Sequence, residues 1–369
     1  MQKRTLGKTG LELSVLGIGG FHLCEIPTAD ASALLNAYLD EGGNYLETAA
    51  SYGDGISEIR IGRAVSGRRD AYVLATKSTQ RGAAEFAEEL DRSLRNLQTD
   101  HVDIAFIHGV RTPAEVDRAL APGGALEAAA AARQAGKVRF VGVTGHGRPD
   151  GLEHAVRQHG FDVLMTGFNY LDRFNFPAVE RDLVPLARER GAGLLAMKAL
   201  ADGYLYRSPG PALRYALALP VASVVVGANS LEMLRNDIAI ARSWTPMNGA
   251  EREELFLSAP ELGDYVCRLC GRCREEGFDP QQVFLLEGLF DRQMDDGRVD
   301  DAARYALRER LKGWFGQADA AREEYAALAA KVDPGRDYRY LNERCPYGID
   351  VDRKLKLAHG KLSRERYVP

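Results

Sequence analysis

Four side chains able to hold or move a proton stand where apolar runs of this sequence stop. Glu47 directly follows Tyr45-Leu46, Tyr52 comes shortly after it and before Gly53, Lys77 closes the run Val73-Leu74-Ala75-Thr76, and His108 closes Asp103–Ile107. A phenol takes part in proton transfer only if its surroundings adjust an unperturbed pKa of about 10. A lysine ending a buried run is costly unless paired, and Glu47 is the carboxylate at hand. The charge of Lys77 beside Tyr52 is expected to lower the phenol. A neutral His108 would add a hydrogen-bond donor at a carbonyl oxygen. Taken singly, the same residues make a structural ion pair, a packed tyrosine and a core histidine, so the chemistry depends on their being neighbours.

A second set lies toward the other end: Cys267-x-x-Cys270-x-x-Cys273, then Cys345-Pro346 much later. Three thiolates at that spacing, on a tight loop helped by Gly271, take one face of an iron–sulfur cubane, and a distant Cys-Pro closes the fourth iron, as in ferredoxins. Leu341, Tyr338 and Gly335 occupy the positions where a second motif would carry cysteines. One [4Fe–4S] site on Cys267, Cys270, Cys273 and Cys345 is therefore expected. Zinc is the rival metal, although it usually takes two separated C-x-x-C pairs or cysteine with histidine. Cys24 stands alone and reads as a buried inert thiol. This distribution is not a secreted disulfide framework.

The elements that must position these groups follow a regular rhythm. Strand-like apolar runs fall at Val15–Gly20, Tyr45–Ala49, Ala71–Lys77, Asp103–His108, Phe140–Gly145, Val163–Asn169, Gly193–Ala199 and Ser223–Ala228, after a short hairpin over Arg4–Ser14. Helical stretches alternate with them, among them Glu85–Leu97 with Phe86, Leu90, Leu94 and Leu97 on one face, alanine-rich Ala125–Ala132, and a helix opening at Ser57 with that serine as its cap. Eight such alternations with near-continuous apolar strands predict a closed (β/α)₈ TIM barrel rather than an open doubly wound sheet. The open sheet loses its usual fingerprint as well, since Gly17, Gly19 and Gly20 do not make G-x-G-x-x-G. In a barrel all four groups would face one mouth, at the carboxyl ends of the strands.

After Trp244-Thr245-Pro246 the alternation stops. Residues 246–369 read as a helical extension that carries the cysteines, with Asp300–Val332 helical and Leu307, Leu311 and Trp314 on one buried face. The division expected is a barrel over 1–245 and an iron–sulfur-binding extension over 246–369. A net charge of −4 argues against nucleic acid or anionic membrane as a partner, and no apolar run approaches the roughly 20 residues that span a bilayer. The N-terminal stretch has no apolar core behind its basic residues, so the expected location is cytoplasmic.

The barrel portion resembles the aldo-keto reductase family. The likeness rests on RTLGKTGLELSVLGIGG, on LETAASYG for the family's usual D-T-A-x-x-Y-G, on the TK of LATKS, the HG of FIHGV, and VVVGANSLEMLRND. It implies a barrel binding NADP or NAD, with Tyr52 as general acid–base, Lys77 and Glu47 tuning it, and His108 orienting a carbonyl or hydroxyl of a small-molecule substrate. It also implies cofactor contacts at Gly19, Thr144, Gly145, Met165 and Met197, and at Gly227, Asn229, Ser230 and Asn236 after the eighth strand, while Lys198 beside Met197 is a further candidate to meet a phosphate. Several of these depart from the usual pattern: Glu47 replaces aspartate, Thr144-Gly145 replaces serine–asparagine, Met165 replaces glutamine, and Met197 stands where many members stack a tyrosine. Glu232 and Arg235 would repel and attract a 2′-phosphate respectively, which leaves NAD and NADP both open.

The cysteine tail resembles the iron–sulfur branch of the same family. The cluster is read as structural or substrate-shaping, with transfer to an electron-transfer partner as the alternative. The expected activity is hydride transfer between nicotinamide and a carbonyl carbon. Redox-neutral isomerisation, epimerisation or elimination with a retained cofactor, and a non-catalytic redox sensor, are the alternatives. Phe168, Tyr170, Arg173, Tyr204 and Tyr206 are the candidate substrate-lining residues.

Overall fold

The computed structural model describes residues 1–295, 302–303, 305–307, 309 and 317–364. Two short strands, β1 (Lys3–Thr5) and β2 (Glu12–Ser14), pair antiparallel as the N-terminal hairpin. Eight parallel strands follow: β3 (Leu16–Gly19), β4 (Tyr45–Glu47), β5 (Val73–Ser78), β6 (Val102–Ile107), β7 (Val138–Thr144), β8 (Val163–Gly167), β9 (Gly193–Met197) and β10 (Ser223–Val226). They close into a barrel because β10 pairs β3 as well as β9, which excludes the open sheet. Strands covered on both faces bury nearly every residue, and this is why they read as continuous apolar runs.

The side-chain period of two decides which residues fill the barrel. Tyr45, Ala75, Ile104, Phe106, Val163, Met165, Leu195, Met197 and Val225 share one core with Leu6, Leu11 and Leu13 of the hairpin. Two residues beyond Tyr45 is Glu47, two beyond Ala75 is Lys77, and two beyond Phe106 is His108, so the inward positions turn from apolar to ionisable at the carboxyl ends. Space inside is tight. A Cβ on Gly17 would lie 2.6 Å from the Tyr45 ring, so only glycine fits there.

Ser57 does not cap the helix that follows β4. That helix runs Ile56–Val65, with Gly55 at φ 87° before it. The Ser57 hydroxyl is instead fully buried, donating to the Gly20 carbonyl at 2.8 Å and lying 2.7 Å from the Thr48 hydroxyl, which ties the loop after β4 to the loop after β3. The helix Ala83–Leu97 buries Phe86, Leu90, Leu94 and Leu97, as its periodicity requires.

The chain divides into two compact units. The first comprises Met1–Phe168, Ala178–Ala199 and Pro209–Pro246, and the second Asn169–Pro177, Leu200–Ser208 and Met247–Pro369. The loops after β8 and β9 thus belong with the tail, which the sequence does not suggest. Helices of the second unit include Gly249–Ser258, Pro280–Asp291, Ala318–Tyr325 and Val351–Ser363. A buried network joins two of them: Glu287 is 2.7 Å from both Lys354 and Lys361, and Lys361 is 2.7 Å from Asp291. Leu311 and Trp314 lie outside the described residues. No helix among the described residues is long and apolar enough to cross a membrane.

Candidate active site and cysteine site

Glu47, Tyr52, Lys77 and His108 come together at the carboxyl ends of β4, β5 and β6. The register sets Glu47 opposite Ala75 and Lys77 opposite Phe106, which brings the side chains at positions 47, 77 and 108 to neighbouring levels. Lys77 is the hub. Its Nζ contacts the Glu47 carboxylate, donates to the Thr48 carbonyl at 2.9 Å, and lies 3.0 Å from the Tyr52 hydroxyl. The Tyr52 and His108 rings meet edge-on, with centroids 6.0 Å apart.

Burial governs the protonation of the set. It pushes the Lys77 ammonium well below its ordinary value. It also holds the Tyr52 phenol above its ordinary value, and the nearby Cys24 sulfur adds to that. The lowering of the phenol expected from Lys77 does not prevail: loss of water sets the direction of the shift. Tyr52 accordingly keeps its proton at neutral pH. His108 is held well below the usual imidazole range by burial, then by the charge of Lys77, so it is neutral. Its Nδ1 is buried and has no hydrogen-bond partner.

Several supporting residues went unread in the sequence. Phe21 meets the Tyr52 ring edge-on at 5.3 Å, and His146 stands 6.4 Å from His108 between ring centroids. Both follow the ends of strands, so extending the strand-end rule by one or two residues would have found them. Glu58, fully buried, accepts from Thr76 at 2.7 Å and from Asn96 at 3.1 Å behind the Lys77 strand. Cys24, which the sequence reads as a buried thiol, is only half-buried and packs near Gly53, where an added Cβ would lie 2.9 Å from its sulfur.

The cofactor candidates fall into two groups. Thr144 is fully buried, and its hydroxyl accepts the Gly109 N–H at 2.9 Å, fixing the turn after His108. Gly145 is buried beside it, its N–H on the Met165 carbonyl at 3.2 Å. Met165 and Met197 belong to the barrel core, Lys198 follows Met197 at φ 58°, and Gly19 pairs with Glu47. The second group surrounds the start of the helix Leu231–Ser243. Asn229, Ser230 and Asn236 are exposed there, and the Ser230 hydroxyl caps the helix by accepting from the Met233 N–H at 3.2 Å. Gly227 lies under the His22 imidazole, 2.1 Å from where its Cβ would be.

In the second unit, Cys267, Cys270, Cys273 and Cys345 line one small cavity together with Arg268, Arg272 and Tyr347. Leu269 at φ 55° and Gly271 at φ 80° fold the loop back on itself, and the Gln281 amide lies against it, its oxygen and nitrogen assigned so that it donates to the Leu269 carbonyl at 3.0 Å and accepts from the Gly271 N–H at 3.1 Å. Cys267 and Cys273 are buried, Cys345 half-buried and Cys270 exposed. Burial pushes the Cys267 thiol up to about 12 and the Cys273 thiol up to about 11. Among the described residues, no group of three or more His, Cys, Asp or Glu side chains is arranged to hold a metal ion.

The barrel has counterparts among known proteins. Residues 15–210 match the model of the aldo/keto reductase family. The uncharacterised oxidoreductase YqkF of Bacillus subtilis (strain 168) is 26% identical, over 66% of this chain and 92% of that protein. L-galactose dehydrogenase of Arabidopsis thaliana is 26% identical, over 69% of this chain and 92% of its own. The holo form of aldo-keto reductase AKR11C1 from Bacillus halodurans superposes with a TM-score of 0.61 at 27% identity, covering 69% of this chain and 95% of that one. The chain belongs to the aldo/keto reductase family and is an oxidoreductase of that type.

Proposed function

We propose that this chain interconverts a carbonyl and an alcohol with a nicotinamide nucleotide, Tyr52 exchanging the proton with the substrate oxygen. The observation that carries this reading is the position of Lys77 Nζ, 3.0 Å from the Tyr52 hydroxyl while held by Glu47 and the Thr48 carbonyl. A buried N–H donor on the phenol oxygen stabilises the charge left there as the proton departs. Glu47, in contact with the Lys77 ammonium, is the carboxylate that opposes the pull of burial on that charge. His108, neutral and with a ring nitrogen unengaged, donates to the same substrate oxygen and orients it. A phenol that retains its proton is the acid needed when the carbonyl is reduced, and it takes the proton back when the alcohol is oxidised.

Bound nicotinamide would supply or accept the hydride. Gly19, Thr144, Gly145, Met165 and Met197 are the candidates to hold its ring end, and Lys198 is a candidate to meet a phosphate. Gly227, Asn229, Ser230 and Asn236 are candidates for the phosphate end, where the exposed start of a 13-residue helix offers N–H groups and a favourable dipole. His22 would have to turn aside from Gly227 for a nucleotide to settle there.

For the tail, the reading is one [4Fe–4S] cluster on Cys267, Cys270, Cys273 and Cys345. The fit lies in the donor set: four thiols line one cavity with two guanidinium groups and no carboxylate. Three cysteines in one run with a distant fourth suit a cluster better than zinc, which usually takes two separated C-x-x-C pairs or cysteine with histidine. When bound, the cluster would supply folding free energy to the tail.

The test is nucleotide labelled with deuterium at the transferring position, incubated with a panel of aldehydes and ketones. Deuterium on the product carbinol with stoichiometric nucleotide oxidation is expected. Product formed with no net oxidation of nucleotide would replace this reading by a redox-neutral reaction. Iron and acid-labile sulfide, four of each per chain on anaerobic purification, are expected from the cluster, and zinc in their place would overturn it.

A further inference from the structure

Two tail side chains that flank the first three cysteines each bridge the same two loops. The loops are Asn169–Pro177, which leaves β8, and Leu200–Ser208, which leaves β9. Glu261, shortly before Cys267, accepts from the Tyr170 hydroxyl at 2.8 Å and from the Ser208 hydroxyl at 2.7 Å. Arg292, just beyond the helix Pro280–Asp291, donates to Asp172 at 2.9 and 3.1 Å and to Asp202 at 2.7 Å. Both side chains are buried. One charge of each sign thus holds both loops.

Gln293 carries the connection to the cysteines. It is 1% exposed; its Oε1 accepts the Cys267 N–H at 2.8 Å, and its Nε2 donates to Asn175 Oδ1 at 3.0 Å and to the Phe174 carbonyl at 3.3 Å. Arg292 and Gln293 both sit at positive φ, 64° and 57°, where non-glycine residues are strained and persist only when their surroundings hold them. Gly288 completes the contact. A Cβ there would lie 2.8 Å from Asn175 Oδ1 and 3.1 Å from Asn175 Cα, so the helix can meet the loop only without a side chain.

We propose that Gln293, Arg292 and Glu261 are positioning residues that join the cysteine site to the loops after β8 and β9, so that filling the site orders those loops. The statement about filling rests on the iron–sulfur reading above; the join itself does not. Loops that leave the carboxyl ends of barrel strands are the ones that carry specificity in this architecture, so the join makes the state of the cysteines matter to substrate selection. Coupling of this kind is reciprocal: whatever loosens the loop must loosen the cysteine segment.

Hydrogen exchange on full-length protein, with iron measured on the same sample, tests both parts. In iron-loaded protein stripped by a chelator, amides of 169–177 and 200–208 should exchange about tenfold faster, the response to losing a few buried hydrogen bonds. Gln293→Ala should keep its iron yet show the fast loops. Gln293→Glu, which retains the acceptor for Cys267, should restore slow exchange at 267–273 and leave the loop at 169–177 fast. Independently of metal, Asn175→Ala should speed exchange across Cys267–Cys273 about fivefold. Loops that exchange alike in loaded and stripped protein would overturn the filling claim. An unchanged cysteine segment in Asn175→Ala would overturn the join. Protein that never holds iron would sink the cluster reading, and Asn175→Ala would still decide the join.

Discussion

The pairing of Lys77 with Glu47 makes a prediction that separates a catalytic pair from a structural one. Their side chains are 1% and 4% exposed, so neither charge is relieved by water when the other is removed. Lys77→Met keeps the volume but leaves Glu47 buried alone, and the Thr48 carbonyl and Tyr52 hydroxyl each lose a donor. Breaking a buried pair from one side costs about 3–5 kcal/mol, a loss of at least two powers of ten in the folded-to-unfolded ratio. Glu47→Leu with Lys77→Met removes both charges, and replacements of this kind are neutral or stabilising by about 1–4 kcal/mol. Guanidinium unfolding followed by circular dichroism should therefore show the single variant strongly destabilised and the double variant at or above the parent. Both should be inactive, because Tyr52 has lost its N–H partner. A single variant costing under about 1 kcal/mol, or a double variant as unstable as the single, would refute the claim that the pair is kept for chemistry at the expense of stability.

His108 is held neutral in the folded chain but takes up a proton near 6.5 once unfolded, so below that pH the unfolded state binds more protons. Stability should fall as pH drops below 6.5, by up to about 1.4 kcal/mol per unit from this residue, and His108→Asn should remove that slope in denaturation midpoints measured across the range. Ser57→Ala strips the buried hydroxyl that joins Gly20 and Thr48, and should cost about 1–3 kcal/mol, whereas a surface helix cap would cost about 1; unfolding curves decide between them. Gly288→Ala forces the helix Pro280–Asp291 off Asn175 and should raise protease cleavage within 169–177, with unchanged cleavage counting against the contact.

Strand positions were legible because a parallel barrel buries both faces of each strand, so the runs at Val73–Ser78 and Val102–Ile107 stand out without alternation. The ionisable residues were legible for the same reason: Lys77 and His108 stand out at the ends of such runs, and standing beside Glu47 and Tyr52 at adjacent strand ends sets them apart from a structural ion pair or a core histidine. Ser57 was misread because a serine before a helix scores as a cap by local pattern, while its actual partners, Gly20 and Thr48, lie on two other segments. The protonation of Tyr52 was misjudged in sign because sequence shows the neighbouring charge and hides the desolvation. The union of the tail with the loops after β8 and β9 left no trace at all. It depends on single side chains such as Arg292 and Asp172, far apart in sequence and carrying no periodicity.

The central claim is that Tyr52 moves the proton, and Tyr52→Phe addresses it with the least disturbance, since only the hydroxyl 3.0 Å from Lys77 is removed. Turnover of a carbonyl substrate by the variant, measured beside its nucleotide affinity, is the decisive comparison. The account predicts a fall in turnover of about 10²–10⁴ with affinity for the nucleotide nearly unchanged. Turnover equal to that of the parent protein would contradict it.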